Sequence, residues 1–300
     1  MTLRSNSFGD LLAPGFREIF HTALKWETYP SGVEKMFNVN NSTRAYEDDS
    51  YVTGFGLVPD KNKGASVTYD DAYQGYDKRY THVTRALAYR VEKELYEDNM
   101  YSAFKKMPQA LGRSMRVTIE TDAANVYNRA ETDGYTGGDS TVLLSTSHPL
   151  IGGGTQKNRL TTGATLSETS WEQALIDIKE TTDDRGLNLM LVPQRLIVPK
   201  ELDWTAQKLF RSNQEPGTGN NAINPAYGDI ETYVNNFLTD SDAWFVLCDG
   251  HEMNWFWRVM PDHYQDNDFD TDDAKFKVRA RWSNGWSLPW GIFGSMGAGT

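Results

Sequence analysis

The chain has 300 residues, which is enough for one large or two modest domains with a sizeable core. Its net charge of −11 argues against non-specific binding of nucleic acid, because neutralising phosphates requires an excess of lysine and arginine. The single cysteine, Cys248, excludes an intrachain disulfide framework and a multi-cysteine zinc site, and its place in the apolar run AWFVLC predicts a buried free thiol.

The first part of the chain predicts an arm followed by a hairpin. Residues 1–45 are interrupted by prolines and glycines and contain one short helical stretch, Phe16–Trp26, so they predict an arm that packs on another element. Residues 46–85 carry two Val/Tyr/Thr-rich runs, VTGFGLVP and ASVTYDDAYQGYDKRYTHV, on either side of the charged turn DKNKG. This pattern predicts a long two-stranded hairpin, which is marginally stable in water without a partner.

The segment 104–131 has the most regular periodicity in the chain. Its apolar residues recur three or four positions apart and therefore share one face of a helix. They are Phe104, Met107, Leu111, Met115, Ile119, Ala123, Val126 and Ala130. At about 1.5 Å per residue the helix would be about 40 Å long, which predicts an elongated subunit. Pro108 is compatible with the helix near its start, or else would kink it there.

The next region alternates helical and strand patterns. LSETSWEQALIDIK predicts a helix capped by Ser167 or Ser170, with Trp171 and Ile178 on its apolar stripe. Pro199 opens a second helical segment, KELDWTAQKLFRS. The runs LNLMLV, RLIV, ETYVNNFL and DAWFVLC predict short strands. The region is therefore predicted to be a mixed α/β unit.

The run KFKVRARW near the end of the chain alternates apolar and cationic residues. This alternation predicts a half-buried strand with a wholly cationic outer face. Its cations, which are candidates for contacts between subunits, are Lys275, Lys277, Arg279 and Arg281. The tail that follows, SNGWSLPWGIFGSMGAGT, is apolar and uncharged, so it predicts a segment ordered by burial.

No catalytic motif emerges from the sequence. The histidines are His21, His82, His148, His251 and His263, and they lack the paired spacing of metal ligands. One loop, STSHPLIGGG, groups His148 with hydroxyls and glycines, so a hydrolase with His148 as general base is a remote alternative. The three glycines do not open a helix and lack the dipole that binds phosphate. Pro149 and the glycines instead predict a connector with a hinge.

The acidic run DHYQDNDFDTDD resembles the start of a calcium loop. Its alternating carboxylates are Asp266, Asp268, Asp270 and Asp272. Thr271 stands where such a loop needs glycine, and Lys277 stands where it needs glutamate. The run therefore favours a solvated acidic loop, with a calcium loop as the alternative. No cofactor and no other metal site is predicted.

The predicted elements indicate a protein that is stable in an assembly. No run approaches the roughly 18 apolar residues that span a bilayer, and the N-terminus has no signal-peptide pattern, which predicts either a soluble intracellular product or a component assembled inside a cell. An arm, a protruding hairpin, a long helix and an apolar tail do not all offset their folding entropy alone. The chain is therefore predicted to gain part of its stability from neighbouring subunits.

Segments in order along the chain carry a resemblance to a known family. STRAYEDD, YDDAYQGYDKRYTHV and VEKELYEDNMY precede the long helix, and LLSTSHPLIGGG follows it. GLNLMLVPQRLIVPKELDWTAQKLFRS, NAIN, FLTDSDAWFVLCD and RARWSNGWSLPWGIFGSMGA come next. From about Lys35 onward the chain resembles the major capsid proteins of tailed bacteriophages, which have the Hong Kong 97-like α+β fold shared with herpesvirus shells.

The resemblance implies a division into arm, loop and two domains. The implied parts are an N-terminal arm at residues 1–45, an extended loop at 46–85 that lies over a neighbouring subunit, a peripheral domain at 86–165 and 259–300 with a spine helix at about 104–131, and an axial α/β domain at 166–258. The chains of some relatives begin with a long helical scaffolding segment that a protease removes. That segment is absent before the arm here, which implies a separate scaffold or a trimmed chain.

The function implied by the resemblance is structural and without catalysis. Pentamers and hexamers of the chain would form the icosahedral head of a tailed phage, which is assembled in the host bacterial cytoplasm and encloses double-stranded DNA without sequence-specific binding. The implied partners are portal and scaffolding proteins and, in some shells, a cement or decoration protein. Some relatives form a Lys–Asn isopeptide bond, for which Lys61 and Lys63 at the hairpin tip are candidates. An encapsulin-like shell that carries protein cargo is the alternative with the same fold.

Overall fold

The computed structural model describes residues 7–25, 31–92, 106–214, 223–228, 230–267 and 273–298. Its helices are α1 (Ser7–Lys25), α2 (Gly32–Met36), α3 (Lys106–Asn128), α4 (Glu168–Lys179) and α5 (Asp203–Arg211). Its strands are β1 (Asn38–Asn41), β2 (Tyr46–Val52), β3 (Gln74–Thr81), β4 (Val83–Val91), β5 (His148–Pro149), β6 (Thr155–Gln156), β7 (Pro193–Val198), β8 (Glu231–Val234), β9 (Trp244–Cys248), β10 (Met253–Asn267), β11 (Ala274–Trp286) and β12 (Ile292–Ser295). None of the helices within these ranges is long and apolar enough to cross a bilayer.

Two four-stranded sheets organise this α+β fold. The first sheet has the order β1-β10-β11-β4, in which β1 is parallel to β10 and the other pairs are antiparallel. The second sheet has the order β12-β9-β7-β8, in which β7 and β8 are parallel. Two ribbons, β2-β3 and β5-β6, stand apart from the sheets. The strands β10 and β11 share the most extensive pairing of the molecule and form the centre of the first sheet.

Strand β7 separates two hydrophobic cores. Ile197 packs into the larger core, which surrounds α3. Leu196 and Val198 pack into the second core, which contains α4 and α5. Successive side chains of a strand point to opposite faces, so one strand can serve both cores. Cys248 in the second core is a buried free thiol, as predicted, and burial raises its pKa to about 12.

Helix α3 occupies Lys106–Asn128 of the segment in which the periodicity predicts a helix. Leu111, Met115, Ile119 and Ala123 of the predicted stripe are buried in the larger core. Met107 is 38% exposed because it lies in the first turn, and Phe104 lies outside the described residues. Tolerance of proline in the first turn explains why Pro108 does not interrupt the helix.

The alternation of β11 is confirmed, whereas the strand prediction for LNLMLV is wrong. Residues 187–192 contain no strand; Met190 has φ 49° and is 80% exposed. A short apolar run has too few residues for periodicity to distinguish a buried strand from a loop. The arm is also more regular than predicted, because α1 begins at Ser7 rather than near Phe16.

The hairpin and the chain end depart from the sequence expectations in their details. The hairpin strands are β2 and β3, and residues 53–73 between them form no strand, so VTGFGLVP is irregular after its first residue, Val52. Strand β10 runs without a break through the predicted boundary at residues 258/259. Strand β12 pairs with β9 in the second sheet although it follows β11 of the first. The tail is therefore shared between both cores, with Ile292 in the larger and Phe293 in the second.

Candidate functional site: the assembly surfaces

The loop between β2 and β3 exposes large apolar side chains. Leu57 is 84% exposed, Val58 is 94% exposed and Tyr69 is 89% exposed. The loop is fastened to the body by an ion pair between Asp70 and Arg185 and by the Gly56 N–H, which donates to Asp70 at 2.8 Å. Apolar groups that a folded subunit leaves in water mark a surface for protein interaction when they are clustered. This segment, residues 53–73, is called the hairpin loop below.

The candidate crosslinking lysines lie at the tip of the hairpin loop. Lys61 and Lys63 are both exposed. The Ala65 N–H donates to the Asn62 carbonyl oxygen at 3.0 Å, and Gly64 has φ 84°, which forms the turn at the tip. The structure thus places both amines in solvent in the subunit, and their role in a contact between subunits stays a prediction.

The cationic face of β11 is exposed along the first sheet. Lys275, Lys277 and Arg279 are exposed and Arg281 is half-buried. The Lys277 ammonium lies 5.9 Å from the centre of the Tyr264 ring on the neighbouring strand. This face offers positive charge to an acidic neighbour, and its role in a contact between subunits stays a prediction.

The acidic run is only partly within the described residues. Asp266 lies on β10 directly opposite Lys275 of β11. Asp268, Asp270 and Asp272 lie outside the described residues. Within the ranges that the structure describes, no group of three or more metal-ligating side chains comes together. The calcium loop therefore gains no geometric support from Asp266, which faces a lysine across the strand pair.

His148 is a buried structural residue. It is 1% exposed, with Nδ1 2.6 Å from Asp139 Oδ2 and Nε2 3.1 Å from Asn158 Oδ1. The Asn158 amide nitrogen donates to the carbonyl oxygens of Leu143 and Pro289, so its oxygen is the acceptor for Nε2–H. Both ring nitrogens are thus occupied. A general base needs a nitrogen within reach of a substrate proton, so this geometry argues against the hydrolase alternative.

The glycines beside His148 lie in a loop that approaches Asp184 closely. A Cβ at Gly152 would lie 2.4 Å from the Asp184 carbonyl oxygen. The Ile151 N–H donates to Asp184 Oδ1 at 2.8 Å, and Gly153 and Gly154 both have φ 92°. Such φ values favour glycine, and the close approach at Gly152 excludes a side chain. The β5-β6 ribbon closes this loop, and its role as a hinge stays a prediction.

An Asp139→Ala variant is expected to lose about 2–3 kcal/mol of unfolding free energy, because it leaves a buried ring nitrogen of His148 without a partner. Urea unfolding of unassembled subunits measures this loss. Asp133→Ala is the matched control, since Asp133 lies in the same connection and is exposed. Equal unfolding midpoints for the two variants would show that the buried pair contributes nothing.

His82 joins the base of the hairpin to the first sheet. Its Nε2 lies 2.9 Å from Ser42 Oγ and its Nδ1 lies 3.0 Å from Ser283 Oγ. The Ser42 hydroxyl in turn donates to Glu47 Oε1 at 2.6 Å. Burial lowers the pKa of His82, and the positive charge of Arg281 lowers it further. The neutral imidazole is therefore the form that this joint favours.

Glu252, just before β10, lies within electrostatic range of the hairpin strands. Burial raises its pKa to about 7, and the negative charge of Asp49 on β2 acts in the same direction. Asp49 accepts a hydrogen bond from the Ser287 hydroxyl, which also lies 2.7 Å from the Tyr80 hydroxyl. The hairpin base is thus bonded to Ser287, which follows β11, and acts electrostatically on Glu252, which precedes β10.

The two groups are expected to affect stability with opposite signs as pH changes. The folded pKa of His82 lies below its unfolded value of about 6.5, so its contribution is present above that pH and is lost as pH falls. The folded pKa of Glu252, about 7, lies above the ordinary 4.5, so its contribution is present below pH 4.5 and is lost as pH rises to 7.

Melting temperatures between pH 4.5 and 8 test these signs. The Glu252→Gln variant should gain stability relative to the parent as pH rises through this window. The penalty of His82→Gln should shrink as pH falls below about 6.5. Differences from the parent that do not change with pH would contradict both assignments.

Comparisons with known proteins agree with this architecture. A family model described as phage capsid protein matches residues 75–292. A comparison with curated protein sequences finds no match. Among solved structures, the capsid of bacteriophage JBD30 has a TM-score of 0.56 at 14% identity, over 70% of this chain and 91% of that chain. The capsid of cyanophage P-SCSP1u has a TM-score of 0.57 at 10% identity, over 89% and 88%.

A virus-like particle from Pyrococcus furiosus has a TM-score of 0.53 at 10% identity, over 94% of this chain and 98% of that chain. At such identities the solved structures show a common fold, which is the expected Hong Kong 97-like α+β coat fold. The family model covers more than two thirds of the sequence and includes α3 and the strands β4 to β11. The chain therefore belongs to the phage capsid protein family.

Proposed function

We propose that this chain is the major capsid subunit of a tailed phage, which self-assembles as pentamers and hexamers into an icosahedral head around double-stranded DNA. The hairpin loop carries this proposal: Leu57, Val58 and Tyr69 stay exposed to water in the folded subunit. In a shell every subunit lies beside other copies of itself, so a second copy can cover these exposed side chains. Membership of the phage capsid protein family supports the same role.

The proposed role is structural and has no chemical step. His148, the residue that a hydrolase would use, is buried with both ring nitrogens bonded. The net charge of −11 suits a container, because a lining that bound phosphates tightly would hinder both packaging and release of DNA. The DNA would thus be enclosed without sequence-specific contacts.

The domain division and the wider partners belong to the same proposal. Residues 1–45 would act as the arm and 46–85 as the extended loop over a neighbour. Residues 86–165 and 259–300 would act as the peripheral domain, and 166–258 as the axial domain. Portal and scaffolding proteins would take part in assembly in the host bacterial cytoplasm. One solved capsid of JBD30 is decorated with minor capsid protein trimers, and an analogous decoration protein is proposed here.

Electron microscopy of the purified protein tests the proposal. The expected result is closed particles of uniform size when the concentration of subunits is raised. Monodisperse small oligomers at every pH and ionic strength would contradict it.

Denaturing electrophoresis of the same particles tests whether the lysines of the loop tip form crosslinks. A ladder of bands that is lost in a Lys61→Arg, Lys63→Arg variant means crosslinking, and a single monomer band excludes it.

An encapsulin-like shell for protein cargo is the second candidate, favoured by the match to the virus-like particle of Pyrococcus furiosus. The two candidates differ in what native particles contain. DNA-filled particles with tails support the phage head. Particles free of nucleic acid that hold a second protein support the cargo shell.

A further inference from the structure

An open cleft of about 530 Å³ lies beside the base of the hairpin. Strands β3 and β4 contribute to it, as do the C-terminal half of α3, the turn at residues 134–136 and the last residues of β11. Its volume falls in the range of pockets that take a small ligand or a few side chains. Because five separate segments build it, the cleft exists only in the folded subunit.

The cleft holds more positive than negative charge. Its cations are Lys78, Arg85 and Arg129, and its carboxylate is Asp122. Arg85 forms an ion pair with Asp122 and lies over the Trp282 ring at 4.6 Å, so these two charges compensate each other. Lys78 and Arg129 are left as the excess.

Lys78 and Arg129 are each held by an aromatic ring and keep donors available. The Lys78 ammonium donates to the Thr136 carbonyl oxygen at 2.6 Å and lies 5.6 Å from the centre of the Trp286 ring. The Arg129 guanidinium lies 4.4 Å from the centre of the Tyr135 ring. An ammonium has three N–H donors and a guanidinium has five. Among the residues that the structure describes, no carboxylate forms an ion pair with Lys78 or Arg129.

The charge of Lys78 is partly buried, and its desolvation costs free energy. Desolvation lowers the pKa of Lys78, and Asp139, whose charge opposes that effect, is itself bonded to His148. A carboxylate arriving in the cleft would offset this cost and would complete the hydrogen bonds of two fixed cations. Charge-assisted hydrogen bonds of this kind are about twice as strong as neutral ones.

We propose that this cleft binds carboxylate side chains presented by a second copy of the chain. The inference rests on the proposed assembly into a shell. Each copy carries a net charge of −11, so neighbouring copies repel one another unless acidic groups of one meet cations of the next. The excess charge of the cleft supplies such a meeting point and would fix the relative position of two subunits.

A duplex DNA phosphate is the less fitting occupant. Lys78 is half-buried between the turn at residues 134–136 and the Trp286 ring, within reach of a narrow side chain. A duplex presents a rigid, convex row of phosphates, which fits a concave cleft poorly. A flexible loop with one or two carboxylates can enter the cleft and pair with Lys78 and Arg129.

Zero-length crosslinking of shells assembled from equal amounts of ¹⁴N- and ¹⁵N-labelled subunits tests the proposal. A carbodiimide joins the Lys78 amine to a carboxylate within contact distance through an amide bond. The water released by this condensation converts the carbodiimide to a urea. We expect linked peptides that contain Lys78 from one isotope and a carboxylate from the other, in shells and not in unassembled subunits. Closed shells with same-isotope links alone would overturn this inference and leave the proposed function standing. Failure to form shells would overturn both.

Two further experiments distinguish a second copy of the chain from DNA and from a general effect of charge. Acetylation of Lys78 should be suppressed in empty shells as strongly as in DNA-filled ones, whereas suppression that requires DNA would overturn the inference.

A Lys78→Gln, Arg129→Gln variant should raise the concentration needed for assembly at least tenfold. The matched Lys179→Gln, Lys208→Gln variant removes two exposed charges elsewhere and should change that concentration less than twofold. Equal effects of the two variants would mean a general charge effect and would also overturn it.

Discussion

A Glu120→Ala variant is expected to lose about 3–5 kcal/mol of unfolding free energy, because it removes a buried carboxylate that pairs with a cation and accepts a backbone N–H. Glu120 is 0% exposed on α3, and its Oε1 lies 2.8 Å from Arg116 Nη2. The Gly32 N–H donates to both carboxylate oxygens, at 3.2 and 3.0 Å. One carboxylate thus pairs with its own helix and holds the start of α2, so its loss affects the helix and the arm together.

Guanidinium unfolding of unassembled subunits measures this effect. Alanine is a better helix former than glutamate, so helix propensity would act in the opposite direction and does not account for a loss. Glu172→Ala is the control, because Glu172 is exposed on α4 and its removal should change stability by less than about 0.5 kcal/mol. If Glu120→Ala changed the unfolding free energy as little as this control does, the arm would be held by other contacts.

Gly32 supplies an independent check of the same contact. A Cβ there would lie 2.3 Å from Glu120 Oε2 and 2.9 Å from the Tyr233 hydroxyl. Gly32→Ala should therefore destabilise the subunit by itself. Since both substitutions disrupt one contact, the double variant should lose less than the sum of the two single losses.

A Leu57→Ser, Val58→Ser variant is expected to raise the concentration needed for shell assembly about a hundredfold or more. Both side chains are almost fully exposed in the subunit. Burying such a side chain contributes about 1.5–3 kcal/mol, and each 1.4 kcal/mol corresponds to a factor of ten in an equilibrium constant. The stability of the isolated subunit should stay within about 0.5 kcal/mol of the parent, because the folded subunit buries neither side chain.

Light scattering over a concentration series measures the assembly threshold, and thermal unfolding measures the subunit. Asn62→Ser is the matched control in the same loop, since it removes no apolar surface, and its threshold should equal that of the parent. An unchanged threshold for the double variant would mean that the hairpin loop is not buried in the shell. A lowered subunit stability would mean that the loop packs on its own body.

The predictable parts of the fold are those with long local periodicity. The stripe on α3 and the alternation of β11 each extend over enough residues for one period to dominate. The strand prediction for LNLMLV was wrong because six residues carry too little periodicity. Met190 in this run adopts φ 49°, which no apolar pattern indicates. The capped start of α4 was predictable because Ser167 and Ser170 satisfy each other within one turn.

The functional residues were harder to predict because their partners are distant in sequence. Glu120 meets Gly32 across 88 positions, and His82 meets Ser283 across 201. Nothing in the neighbourhood of either residue in the sequence signals these contacts. The histidine loop illustrates the reverse error: His148 is surrounded by residues typical of a site, yet its bond to Asp139 makes it structural. The resemblance of the whole chain, and no single motif, indicated the function.

The position of β11 and β12 in the sheets has a consequence for synthesis on the ribosome. Strand β11 is the middle of the first sheet and β12 completes the second, yet both come from residues 274–295 of the sequence. Domains fold as units, and long-range pairing must wait for its last strand. Neither core can close until these residues leave the exit tunnel. The emergence of residues 274–295 therefore sets the earliest moment at which a subunit can become competent for the proposed assembly.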